Sequence, residues 1–237
     1  MGAAIGALAL LAWTLAVFNI SPMVGTPTIP LSYPALSLFA AAWTISMIAM
    51  MFPTAVPMLL MFLHVGRNSN REIREGGGPT PGKAILFVAT YIGAWVAAGV
   101  LFYAGSALVL SILPVAVNLF IGTSLGLGVA LIVVALYQLS PFKGECLARC
   151  HPSSFLFRYY RGGVSGSFLM GLDYAKYCVG CCWVMMVFLL VSASMGLAWM
   201  VAFTAVIFAE RNLSIRSWVP KAFGIGFLLA GTALVLV

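Results

Sequence analysis

The chain has 237 residues, 63% of them hydrophobic and 7% charged, with a formal net charge of +7. A soluble domain carries about 25% charged residues, so a soluble enzyme is excluded. A nucleic-acid partner is not needed to explain the positive charge, which is what the loops on one side of a membrane collect. The charges are confined to short intervals between apolar runs that approach bilayer length. This pattern predicts an all-α, polytopic transmembrane bundle, a single domain over residues 1–237 in contact with the lipid bilayer.

A first helix is expected over residues 3–18. It has no charged segment before it and no small-residue cleavage site after it, so a removed signal peptide is not expected. Residues 19–34 carry Pro22, Pro27, Pro30 and Pro34 and no charge, which predicts an extended outer loop. A second helix is expected over 35–64, kinked in mid-membrane where Pro53 and Pro57 each remove a backbone hydrogen bond. A polar loop follows at 66–83. A third helix, 84–110, has Gly93 and Gly99 as points of close packing. After a turn at 111–114 a fourth helix covers 115–139. Residues 140–170 are the longest polar interval. The remaining helices are expected at 172–191, at 195–210 (a short one) and at 219–237. The total is about seven helices, or six if the first lies in the membrane interface.

The interval 66–83 holds four Lys and Arg residues, 140–176 holds five and 211–221 holds three, which accounts for all twelve. With seven helices these intervals share one side and the uncharged loops share the other. Cytoplasmic loops collect Lys and Arg, so the N-terminus is expected inside. Glu210 and Asp173, near helix ends, are expected to be solvated or ion-paired with Arg211 or Lys176.

All five cysteines fall between residues 146 and 182. Cys178, Cys181 and Cys182 share one helical face with Met185, within about 100°. Tyr174 lies near that face, and Lys176 points away from it. Cys146, Cys150 and His151 lie in the polar interval on the same side of the membrane. Cytosolic thiols are kept reduced, which argues against a disulfide framework and suits metal binding or transient redox chemistry. Four of these six residues could form a tetrahedral zinc set, and two or three thiolates would suffice for Cu(I). The bland alternative is that cysteine serves as a small apolar helix residue. The spacing puts the metal reading ahead of it. A loop cysteine is then expected within side-chain reach of the helix trio. Cys178-Val-Gly-Cys181 is also a CxxC dithiol, but no βαβ pattern surrounds it.

On the second helix Met47, Met50, Met51, Met58 and Met61, with Thr54, fall within about 120° of one another. Thioethers are soft ligands for Cu(I), which makes Met50, Met51 and Met185 weaker metal candidates, together with His64. Methionine more often fills irregular gaps between helices, and that reading is preferred here. Met50, Met51 and Met58 are expected to face other helices and not lipid. The sequence has no nucleotide loop, no Ser/His/Asp arrangement and no HExxH.

Several motifs together are familiar: Ala42-Trp43 with Ala49-Met50-Met51 and Pro53…Pro57; Tyr137-Gln138-Leu139-Ser140-Pro141…Lys143…Cys146-Leu147…Cys150; Cys178-Val179-Gly180-Cys181-Cys182-Trp183…Met185; and Met195…Trp199-Met200 with Glu210. Across residues 42–210 the chain resembles a bacterial family of unknown function, described as predicted metal-binding integral membrane proteins. That family tends to have Glu-Lys where this chain has Glu210-Arg211. The resemblance implies a multipass protein of the bacterial inner membrane with a presumed metal site. The combined expectation is a soft metal, Cu(I) or zinc, held at Cys146, Cys150, His151, Cys178, Cys181 and Cys182 for metal handling, with no catalytic residue. The alternatives are an accessory subunit working with other membrane-protein subunits and a membrane thiol oxidoreductase.

Overall fold

The computed structural model describes residues 11, 13, 14, 33–68, 80–113, 123–191, 197–212 and 218–236. The described residues are all-α and form eight helices: α1 Tyr33–Asn68, α2 Pro81–Ile112, α3 Ser124–Leu139, α4 Pro141–Cys150, α5 Pro152–Tyr159, α6 Gly163–Val191, α7 Leu197–Asn212 and α8 Trp218–Leu236. Four of them, α1, α2, α6 and α8, are long and apolar enough to cross a membrane. The pair α3 and α4, bent by 65° at their junction, makes a fifth candidate span. Among the described residues there are thus four to five candidate spans, against about seven expected for the whole chain. The first predicted helix, 3–18, lies outside the described residues except for 11, 13 and 14, and the outer loop at 19–34 lies outside them almost entirely. The sixth predicted helix is α7, whose 16 residues reach about 24 Å, less than the ~30 Å of a hydrocarbon core.

The polar interval 140–170 is not a loop. Ser140 caps α4, its Oγ accepting from the Lys143 backbone N–H at 3.3 Å, and Pro141 occupies the first turn. A proline at the first helical position loses no bond the helix would have made. Pro152 opens α5 in the same way after His151. Gly163, at φ 84°, turns the chain into α6 in a conformation that other residues rarely adopt.

Packing follows small residues and aromatic rings. α3 and α8 make the most extensive pairing in the bundle. A Cβ on Gly128 or on Gly231 would stand 2.8 Å from the other glycine's carbonyl oxygen, so the two backbones touch. α1 runs antiparallel to α2: Trp43 Nε1 donates to the Trp95 carbonyl at 2.9 Å, Phe39 meets Tyr103 and Phe62 meets Phe87. Gly99 admits the Trp43 indole, as expected of a close-packing glycine, whereas Gly93 has nothing within 4 Å of its Cβ position. α2 and α6 run parallel, with Gly171 against the Phe87 carbonyl and Tyr91 against Cys178. α1 continues as a helix through Pro53 and Pro57.

These contacts bring the basic helix ends together. Phe62 meets Tyr160, Leu139 meets Gly224, Lys143 meets Glu210 and Arg211 meets Tyr174. Lys83, Lys143, Arg149, Arg211 and Lys221 therefore sit toward one end of the bundle.

Candidate functional site

α6 supplies the floor of a buried centre. Tyr174, Cys178, Cys181, Cys182 and Met185, predicted on one face from their spacing, are all buried at 2% exposure or less. Lys176 is exposed on the opposite face. α4 delivers Cys150, fully buried in the same core. Cys146 stays half-buried, its Sγ 3.2 Å from where a Cβ on Gly180 would stand. Glycine at 180 leaves room for that sulfur, and the Gly180 carbonyl accepts from the Tyr137 hydroxyl. His151, at the α4–α5 junction, has its Nδ1 3.0 Å from Ser153 Oγ. Burial first, and then the charge of Arg211, holds its imidazole below the usual range. His64 lies in α1, and its side chain is outside the described residues.

The sequence did not single out the residue at the heart of this centre. Arg211, the penultimate residue of α7, is 0% exposed. Its Nη1 donates to Thr54 Oγ1 at 2.9 Å and to Cys178 Sγ at 3.2 Å, and its Nη2 donates to the Tyr174 hydroxyl. The guanidinium carbon lies 5.0 Å from the Tyr174 ring centroid. Nε has no hydrogen-bond partner among the described residues. Tyr91 of α2 closes the arrangement, its hydroxyl 3.1 Å from Cys178 Sγ. One side chain thereby ties α1, α6 and α7 together around a single sulfur.

Glu210, beside Arg211 in the chain, faces a second buried group. Its carboxylate pairs with Lys143 Nζ at 2.8 Å, both side chains at 3% exposure or less. The Gln138 amide bridges the pair, accepting from Lys143 and donating to Glu210. The expected partners are therefore corrected. Glu210 is buried with Lys143 and is neither solvated nor paired with Arg211, while Asp173 pairs with Arg161 at 3.6 Å on an exposed surface. A charge at the end of an apolar run, followed by a second one, was the only local signal for either group.

The metal expectation is overturned. Among the described residues no group of three or more His, Cys, Asp and Glu side chains is arranged to hold a metal ion. The copper or zinc ion assigned to Cys146, Cys150, His151, Cys178, Cys181 and Cys182 is withdrawn, and with it the cysteine-held metal role. The physical reason lies in how each donor is already used. Cys181 and Cys182 donate their S–H groups to the Cys178 carbonyl at 3.1 and 2.9 Å. Cys178 faces Arg211, a permanent cation that repels a second one. The ring of His151 is engaged by Ser153, and Cys146 lies apart at the edge. None of the five cysteines is in a disulfide.

The methionine face of α1 is turned inward. Met47, Met50, Met51 and Met58 are buried at 3% exposure or less, facing other helices and not lipid. They share one core with Met170, Met185, Met186 and Met200. Between α1 and α2 this core leaves a small cavity lined by Thr44, Met47, Ile48, Phe52, Tyr91, Ile92 and Trp95.

No curated protein and no solved structure matches the chain. The family model of PpoB2, described as "Copper chaperone", matches residues 40–234. That interval holds all eight described helices apart from the first seven residues of α1 and the last two of α8, together with the whole arginine–sulfur centre, and the chain belongs to this family, described as a copper chaperone.

Proposed function

We propose that the protein hands on copper as transient cargo within a membrane, with no resident ion held by its cysteines. The observation that carries this reading is the family match over residues 40–234. The sulfur-rich core supports it from a different direction. Thioethers are neutral and soft, so they contact Cu(I) without needing deprotonation or a compensating charge in a low-dielectric interior. Met50 and Met51 on α1 and Met185 on α6 are the candidate contacts. The test compares cells lacking the gene with cells given it back, reading the copper occupancy of a copper-requiring enzyme in the same cells. Restoring the wild-type gene is expected to raise occupancy several-fold. Restoring Met50→Leu/Met51→Leu/Met185→Leu is expected to leave occupancy near the deletion level at normal protein abundance. Equal occupancy with and without the wild-type gene would refute the copper role. Full rescue by the triple variant would return the methionines to space filling.

The same reading places the protein in a bacterial inner membrane, with the basic end of the bundle in the cytoplasm. This orientation rests on the grouping of Lys and Arg at 66–83, 140–176 and 211–221. An impermeant thiol reagent added outside intact cells should label a cysteine introduced at Thr26 and should spare Cys146. Labelling of Cys146 from outside would reverse the orientation.

A further inference from the structure

We infer that Cys178 is a thiolate, the counter-charge of Arg211. The argument starts from the cation. Arg211 is fully buried, and a guanidinium does not give up its proton in a protein. A buried charge without an opposite one is costly enough that structures almost always pair it. The described carboxylates do not serve. Glu210 is bound to Lys143 and Asp173 to Arg161, and Glu145 is exposed. The groups facing the guanidinium are Thr54 of α1, Tyr174 and Cys178 of α6, and, one step further, Tyr91 of α2 and Cys150 of α4. Of these, a thiol ionises more readily than a phenol, near pH 8.5 against about 10 for unperturbed groups.

Geometry selects which thiol. Arg211 Nη1 lies 3.2 Å from Cys178 Sγ and the Tyr91 hydroxyl lies 3.1 Å from the same atom. Cys181 and Cys182 donate their S–H groups to the Cys178 carbonyl and, as donors, keep their protons. Cys178 alone is met by polar side chains of two other helices, Arg211 of α7 and Tyr91 of α2, an environment suited to a negative sulfur. Its proton leaves to solvent as the centre assembles, and no oxidant or reductant enters. The proposal rests on the polar centre and is independent of the copper reading.

The test is spectroscopic, on the full chain in lipid nanodiscs at neutral pH without added metal. The infrared S–H stretching intensity of the wild type should correspond to four thiols, against five after unfolding in acid. The ultraviolet thiolate band should be present in the wild type and in Cys150→Ser, and absent from Cys178→Ser and from Arg211→Gln. Five S–H groups in the folded wild type would overturn the assignment, and this reading needs no variant to fold. A band that survives in Cys178→Ser and disappears in Cys150→Ser would overturn it too, since the charge would then sit on Cys150.

Discussion

Glu210→Gln is expected to cost about 3–5 kcal/mol, the effect of leaving one member of a buried ion pair without its partner. The ammonium of Lys143 is 2.8 Å from the carboxylate, with both side chains almost wholly buried. Gln138 spends both ends of its amide on the same two groups. Without the carboxylate, the ammonium would stay buried against two amides with no negative charge to face. The loss should spread, because the triad joins α3, α4 and α7 at the 65° bend between α3 and α4. The paired replacement Lys143→Met/Glu210→Leu removes both charges and should cost far less than either single change, since apolar residues of similar volume often match or exceed a buried pair. Thermal unfolding of the three proteins in one detergent checks this. A Glu210→Gln protein as stable as wild type would show that the pair is not the fastening described here. A double variant as damaged as the single one would assign the loss to packing and not to charge.

This triad also marks where sequence reasoning stopped. The membrane class was legible because apolar runs of bilayer length need no knowledge of their partners. So was the buried face of α6, because helical periodicity alone places Tyr174, Cys178, Cys181, Cys182 and Met185 together. The methionine face of α1 was legible for the same reason. Charges were misplaced because solvation is their default, and only distant elements can overturn it. Lys143 is buried by α7, and Arg211 by α1 and α6, which no local window contains. The metal reading failed for a related reason. Cysteine spacing reports which thiols share a face, but it is silent about whether they turn to a common point. Here two of them turn back to the preceding helical turn, a bond always open to a polar side chain inside a helix, and an arginine from α7 meets the third. The helices α4 and α5 could have been found. Ser140-Pro141 and His151-Pro152 place a proline just inside a helix start, with a capping serine at the first. The polarity of the interval outweighed that signal.

Gly231→Leu should detach α8 from the bundle. A Cβ at 231 would stand 2.8 Å from the Gly128 carbonyl oxygen, 2.9 Å from Ile132 Cγ1 and 3.0 Å from the Ile132 backbone nitrogen. Two of these three are backbone atoms of α3 and cannot rotate aside, so the helices must separate. Overpacking costs about 1–3 kcal/mol where side chains can adjust, and this site should reach at least the top of that range. Separation also forfeits van der Waals contact along the whole α3–α8 seam. In a membrane that contact is the main attraction between helices, because lipid is as apolar as the residues it would replace. Gly226 lies one and a half turns earlier on α8 with nothing within 4 Å of its Cβ position. Gly226→Ala should therefore be neutral or stabilising by up to about 1 kcal/mol, since alanine is the better helix former. The two variants differ in where a side chain is added, on a helix of one composition, so their contrast isolates the seam. Limited proteolysis between α7 and α8, together with thermal unfolding, reads it directly. Gly231→Leu should be cut faster and melt lower, and Gly226→Ala should behave as wild type. Equal behaviour of the two would mean that α8 does not depend on the close approach of Gly128 and Gly231.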